Sequence, residues 1–112
     1  MTVTVRIVED GGRLVLRVAG PLDRAGAPVL TAHLDAVWAL SEGPDLVIDA
    51  GGVTYCGPAG VSAFAALRAR LDDRGGRVVL VGVAGQLERA LESGGLLHRF
   101  DRSPHDILGG GG

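Results

Sequence analysis

The sequence contains no lysine, a single cysteine and no long hydrophobic run, and each absence removes a class of function. Cys56 alone excludes an internal disulfide and leaves no cysteine cluster for zinc. No apolar stretch approaches the roughly 20 residues that a membrane-spanning helix requires. The N-terminal MTVTVRIVED alternates like a strand and has no basic segment followed by an apolar run, so it does not read as a signal peptide. All 11 cationic residues are arginine, against 13 acidic ones, for a formal charge of -2. That balance provides no basic field for a phosphate backbone or an anionic membrane. The expectation is a cytoplasmic protein with neither nucleic acid nor membrane as partner, and with no cofactor or metal.

What is present suffices for one core. The chain has 112 residues, 46% of them hydrophobic and 21% charged, the balance of a globular domain that folds alone. Val3, Val5 and Ile7 alternate with polar residues, an Asp-Gly turn follows, and LVLRVAG from Leu14 reads as a second strand, so the chain should open with a hairpin. From Ala27 to Leu40, the residues Leu30, Leu34, Val37 and Trp38 fall on one helical stripe, with Pro28 in the first turn. DLVIDA and RVVLVG are short apolar runs of the kind found in covered central strands. Between them a helix beginning near Gly57 carries Val61, Phe64, Leu67 and Leu71 on one face and ends at the glycines after Arg74. Strand, helix, strand of this length implies a right-handed parallel crossover. A short helix from Gln86 to about Ser93 follows, then LLHRF, apolar enough to dock on the body. Ser103 and Pro104 read as the cap and first position of a last helical stub. The expected order is β-β-α-β-α-β-α plus that stub. It makes an α/β fold with a mixed sheet, an antiparallel N-terminal pair joined to parallel crossover strands, and helices chiefly on one face. The domain should span 1–108, with 109–112 a disordered glycine tail.

Four segments in order, GPLD at Gly20 to Asp23, LVIDAGGVTYCGPAGVSAF at Leu46 to Phe64, RGGRVVLVG at Arg74 to Gly82 and LERALESGGLLHRF at Leu87 to Phe100, resemble the STAS domain. This is the module of sulfate transporters and bacterial anti-sigma factor antagonists. In the sigma-control members a loop reading roughly Asp-Ser-Ser/Thr-Gly opens the second helix. Its serine is phosphorylated by a partner kinase that is also the anti-sigma factor. Unmodified, such a domain binds the kinase and frees the sigma factor; phosphorylated, it lets go. Here Gly57 takes the place of the loop aspartate, Pro58 of the phosphorylated serine and Ala59 of the next hydroxyl residue, and only Gly60 matches. Proline has no hydroxyl, so phosphotransfer cannot occur at Pro58. Yet glycine is acceptable at an N-cap and proline fits the first helical position, so the helix should start in the same place. The resemblance therefore implies a non-enzymatic, protein-binding domain of the antagonist type. Its partner would be a kinase-type anti-sigma factor, bound constitutively or as a scaffold, at a surface made by Asp23, Arg24, Tyr55, Cys56, Gly57, Pro58, Ala59, Gly60 and Ser62.

Other readings compete. Asp23 can serve simply as a turn or cap residue before the first helix. Cys56 precedes a helix N-terminus, where thiolates are stabilised, but His33, His98 and His105 have no evident reason to converge on it, so it reads as a packed strand-end residue. The Gly-rich turn lacks both a P-loop ending and a dinucleotide fingerprint; binding of a nucleotide, anion or other small molecule is the alternative function. Asp49 as a receiver-type acceptor would need an acid cluster and a lysine. Thr54, Tyr55 and Ser62 are the nearest hydroxyls to which phosphorylation could have moved. A short C-terminal segment could also leave apolar surface open for self-association as a homodimer.

Overall fold

In the computed structural model of the protein, which describes residues 2–103, the chain opens with strands β1 (Thr4–Asp10) and β2 (Arg13–Leu22), paired antiparallel. Asp10 stands opposite Arg13, leaving Gly11 and Gly12 as a two-residue loop with φ of 59° and 85°. Positive φ at both central positions is the type I′ turn, whose twist matches that of the strands it joins.

Helix α1 (Ala27–Leu40) has the expected bounds and buries Leu30, Leu34, Val37 and Trp38. The Trp38 ring lies in the core with the Arg70 guanidinium 5.3 Å from its centre. Strand β3 (Asp45–Cys56) follows, then α2 (Pro58–Arg74), β4 (Arg77–Val81) and α3 (Gly85–Ser93). β3 is parallel to both β2 and β4. It runs six residues beyond the apolar DLVIDA segment, through Gly51 and Gly52, and its register against β2 shifts twice. At each shift β3 carries one residue more than β2, which bends the strand end toward α2.

After α3 a single 3₁₀ turn (Leu97–Arg99) leads into a fifth strand, β5 (Asp101–Ser103), parallel to β4. The expected order gains a strand here that the sequence did not mark: Ser103 lies in β5 opposite Val81. The cause is tertiary. Leu96, Leu97 and Phe100 are buried, and Phe100 meets Phe64 edge-on with ring centres 6.2 Å apart. Docking these side chains lays the next residues along the edge of β4, whose backbone groups need partners. Three residues reading Asp-Arg-Ser carry no periodic signal of their own. The expected helical turn at Pro104 and the glycine tail 109–112 lie outside the described residues.

Strand order is β1-β2-β3-β4-β5. Because it never reverses, right-handed crossovers place all three helices on one face. There Leu16, Val18, Leu46, Ile48, Val78 and Leu80 meet Leu30 and Leu34 of α1, Phe64 and Leu67 of α2, and Leu87 and Leu91 of α3 in one core. The opposite face carries a smaller cluster of Val15, Val47 and Val81 with Val79 beside it. The result is a five-stranded mixed sheet in a single α/β domain.

Candidate functional site

The C-terminal ends of parallel strands are where α/β folds place their sites, and here β3 delivers Cys56 and Gly57 directly into α2. Gly57 is the extended N-cap (φ −95°, ψ −171°) and Pro58 occupies the first helical position, so the turn starts the helix as the sequence implied. Three bonds fix it. Gly57 N–H donates to Leu22 O at the end of β2 (3.1 Å), and Val61 N–H donates to Gly57 O (3.0 Å). The third is a two-point clasp: Cys56 N–H donates to Gln86 Oε1 (2.7 Å) while Gln86 Nε2 donates to Cys56 O (2.8 Å). Gln86, on α3, thus supplies the donor and acceptor that a sheet neighbour would have given, beyond the point where β4 has ended. No motif marked this residue; an amide early in a helix looks ordinary in sequence.

Gly60 is required by close approach. A Cβ there would lie 2.7 Å from Cys56 Sγ, 2.8 Å from Leu22 O and 2.9 Å from Leu22 Cβ. At Gly57 a Cβ would stand 2.9 Å from the Tyr55 hydroxyl oxygen and 3.0 Å from its ring, because the half-exposed Tyr55 folds back over the turn. The turn is therefore built from a ring resting on a bare backbone.

Of the residues singled out from sequence, Arg24, Tyr55, Pro58 and Ser62 are exposed, Asp23 and Ala59 half-buried, and Cys56, Gly57 and Gly60 buried. The last three hold the turn from inside. Cys56 is 1% exposed, and burial pushes its thiol up from the ordinary 9.0. It is a packed residue, not an activated thiolate. His33 is occupied on α1, its Nδ1–H donating to Val29 O (2.8 Å), and His98 lies in the 3₁₀ turn; His105 is outside the described residues. Asp49 Oδ1 accepts the N–H of Gly51 (3.0 Å), and among the described residues no three metal-ligating side chains cluster. Asp23 Oδ1 accepts the N–H groups of Ala25 (3.1 Å) and Gly26 (2.7 Å), an Asx-type turn that leads into α1.

Two open grooves flank the first turns of α2. One, of about 620 Å³, runs between α1 and α2 over a floor of small side chains, Ala27, Ala59, Ala63 and Ala66, with Arg24 and Asp35 at its rim. The other, of about 550 Å³, lies between α2 and α3 and is walled by Tyr55, Pro58, Val61 and Gln86. Ser62 lines both, so the start of α2 is a ridge between two hollows. The small side chains of α1 and α2 read in sequence only as weak helix faces.

A sequential five-stranded mixed sheet with its helices on one face, and a strand-to-helix turn exposed at its end, defines a STAS domain. The chain belongs to that family: residues 5–103 match the family described as "Mlab, STAS domain". Among solved structures it is similar to an anti-sigma factor antagonist from Mycobacterium paratuberculosis, 28% identical with a TM-score of 0.80, over 93% of this chain and 87% of that one. A variant of RsbS from Moorella thermoacetica is 19% identical, TM-score 0.77, over 94% and 90%. Murine Slc26a9, an anion transporter, shares the fold at 16% identity and TM-score 0.73, over 94% of this chain but 21% of the transporter. No curated protein sequence is a match at a significant level. Among the described residues no helix is long and apolar enough to cross a membrane.

Proposed function

We propose that this STAS domain is a cytoplasmic, non-enzymatic regulator of the anti-sigma factor antagonist type that binds a kinase-type anti-sigma factor and is not switched by phosphorylation at the turn. The observation that carries the reading is Pro58. It is exposed at the first position of α2, on the ridge between the two grooves, where the antagonist pattern places its serine. The helix still starts at this position, and the proline there has no hydroxyl. A phosphate there would have brought nearly two negative charges to a helix N-terminus beside the partner surface. Without it, binding is constitutive. Arg24, Asp35, Pro58 and Ser62 are the exposed groups offered to the partner, and the alanine-floored groove beside them fits an apolar side chain or a helix edge.

The test is reconstitution with a kinase-type anti-sigma factor from the same genome, with MgATP. The wild-type protein is expected to stay bound and unmodified by intact mass, whereas Pro58→Ser gains about 80 Da, one phosphoryl group, and dissociates. A wild-type chain that acquires the phosphate, at Ser62 or elsewhere, would overturn the unswitched reading. Failure of both proteins to bind any such partner would overturn the sigma-control reading.

A further inference from the structure

The sheet ends in a long, regular strand whose outer edge no other strand covers among the described residues. Among the described residues β1 has a single neighbour, β2, and pairs with it without a bulge from Thr4 opposite Ala19 to Asp10 opposite Arg13. Seven regular residues leave a row of backbone N–H and C=O groups facing outward. Exposed edges are commonly blunted by charged side chains, proline, a bulge or a very short strand; β1 carries the charges Arg6, Glu9 and Asp10 but no proline or bulge. It also carries two of the four exposed large hydrophobics among the described residues, Ile7 (40%) and Val8 (41%).

The charges on this strand are incomplete. Arg6, Val8 and Asp10 project from the face away from the helices. Arg6 stands directly opposite Arg17 of β2, a like-charge pairing, while Arg17 has Asp49 of β3 opposite on its other side and Arg6 has no strand beyond it. Neither arginine has an ion pair within its own chain among the described residues, nor does Asp10. Val8 continues a row of valines across the same face, opposite Val15, which is opposite Val47, which is opposite Val79.

We propose that β1 pairs antiparallel with β1 of a second copy about a two-fold axis at Val8, joining two five-stranded sheets into one of ten. A two-fold perpendicular to the sheet keeps each side chain on its own face, so only a residue can sit on the axis. With Val8 there, Arg6 faces the second copy's Asp10 and Asp10 faces the second copy's Arg6. Arg6 and Asp10, neither in an ion pair within its own chain among the described residues, then face each other across the seam, and Arg6 is compensated for Arg17. Val8 meets its own copy and carries the valine row from one sheet into the next. Registers centred on Arg6 or Ile7 put Arg6 opposite another arginine or a valine. An isologous contact of this kind closes on itself and stops at two copies. It leaves both grooves beside α2 free.

The test uses the full chain in sedimentation and light scattering, up to about 1 mM, a range that captures weak association. A dimer is expected. Arg6→Asp should raise its dissociation constant at least about tenfold, since two carboxylates then face each other twice. The fold is protected in that variant because the new aspartate sits opposite Arg17. The double exchange Arg6→Asp with Asp10→Arg should restore association. Val8→Cys should form an intermolecular disulfide on mild oxidation, because facing residues at a non-hydrogen-bonded antiparallel pair lie about 4.5 Å apart at Cα, within disulfide reach; Thr4→Cys should not. The proposal is overturned by a monomeric mass throughout, which would leave the edge to a strand of another protein. It is equally overturned by a dimer that Arg6→Asp leaves intact and Val8→Cys fails to cross-link.

Discussion

Replacing Gly60 by alanine adds one carbon where the first turn of α2 meets the ends of β2 and β3. That carbon would stand 2.7 Å from Cys56 Sγ, 2.8 Å from Leu22 O and 2.9 Å from Leu22 Cβ. Ordinary contacts between such atoms are about 3.5–4.0 Å, so all three overlap by more than half an ångström. None can retreat easily: Leu22 and Cys56 are fully buried, and Leu22 O is held as the acceptor of Gly57 N–H. Overpacking of this kind costs about 1–3 kcal/mol, and the pinned carbonyl puts this case near the upper end. Alanine recovers about 1 kcal/mol over glycine in a helix. The net expectation is a loss of about 2 kcal/mol, or roughly 10 °C in Tm for a domain of this size. Urea unfolding followed by fluorescence of the buried Trp38 measures it. Adding Cys56→Ala removes the sulfur overlap and should return about 1 kcal/mol as a coupling term. If Gly60→Ala is as stable as wild type, or more so, the close-approach argument is wrong and Gly60 is free to vary.

The other expectations concern the supports of the same turn. Gln86→Ala leaves a half-buried Cys56 N–H and C=O without the bonds of 2.7 and 2.8 Å; a loss of about 2 kcal/mol is expected in urea unfolding, with faster amide exchange at Cys56 than at Ile48. Asp23→Ala removes the acceptor of two backbone N–H groups before α1 and should cost about 1 kcal/mol. Asp23→Asn keeps the acceptor, so a fall in partner binding with stability intact would isolate the carboxylate charge. For Cys56 the native state holds the thiol proton more tightly than the unfolded chain does, because burial raises its pKa above 9.0. Its contribution is whole below that value and lost as pH rises through it. The urea midpoint of wild type should therefore fall more steeply above pH 9.0 than that of Cys56→Ala, and native Cys56 should resist alkylation that proceeds readily in urea.

Sequence carried the fold where side chains repeat with the period of the element. The bounds of α1, the hairpin at Gly11 and Gly12, and the start of α2 at Pro58 all follow from local chemistry. It failed where backbone partners come from afar. β5 exists because Phe100 docks on Phe64 and lays Asp101–Ser103 beside β4. β3 continues through Gly51 and Gly52, poor strand formers, because β2 still runs alongside. The site divided in the same way. Gly57, Pro58 and Gly60 could be read from the turn they make, whereas the Gln86 clasp joins residues 30 positions apart and leaves no pattern. The groove between α1 and α2 was likewise invisible, since small side chains define it by what they leave empty.

The supports of the turn and the proline at position 58 point the same way. Proline at the first helical position fixes φ, Gln86 clasps the preceding backbone, and Leu22 O holds Gly57 from the other side. A segment so tied loses little freedom when a partner docks, and less ordering cost means tighter binding for the same contact area. A phosphorylated turn has an opposing requirement, because its serine must reach a kinase active site and then accommodate a dianion. On the proposed reading, Pro58 resolves that conflict in favour of docking. Pro58→Ser therefore loosens the ridge as it restores the chemistry. Before any phosphate is added, the serine variant should already bind the partner more weakly than wild type, chiefly through faster dissociation.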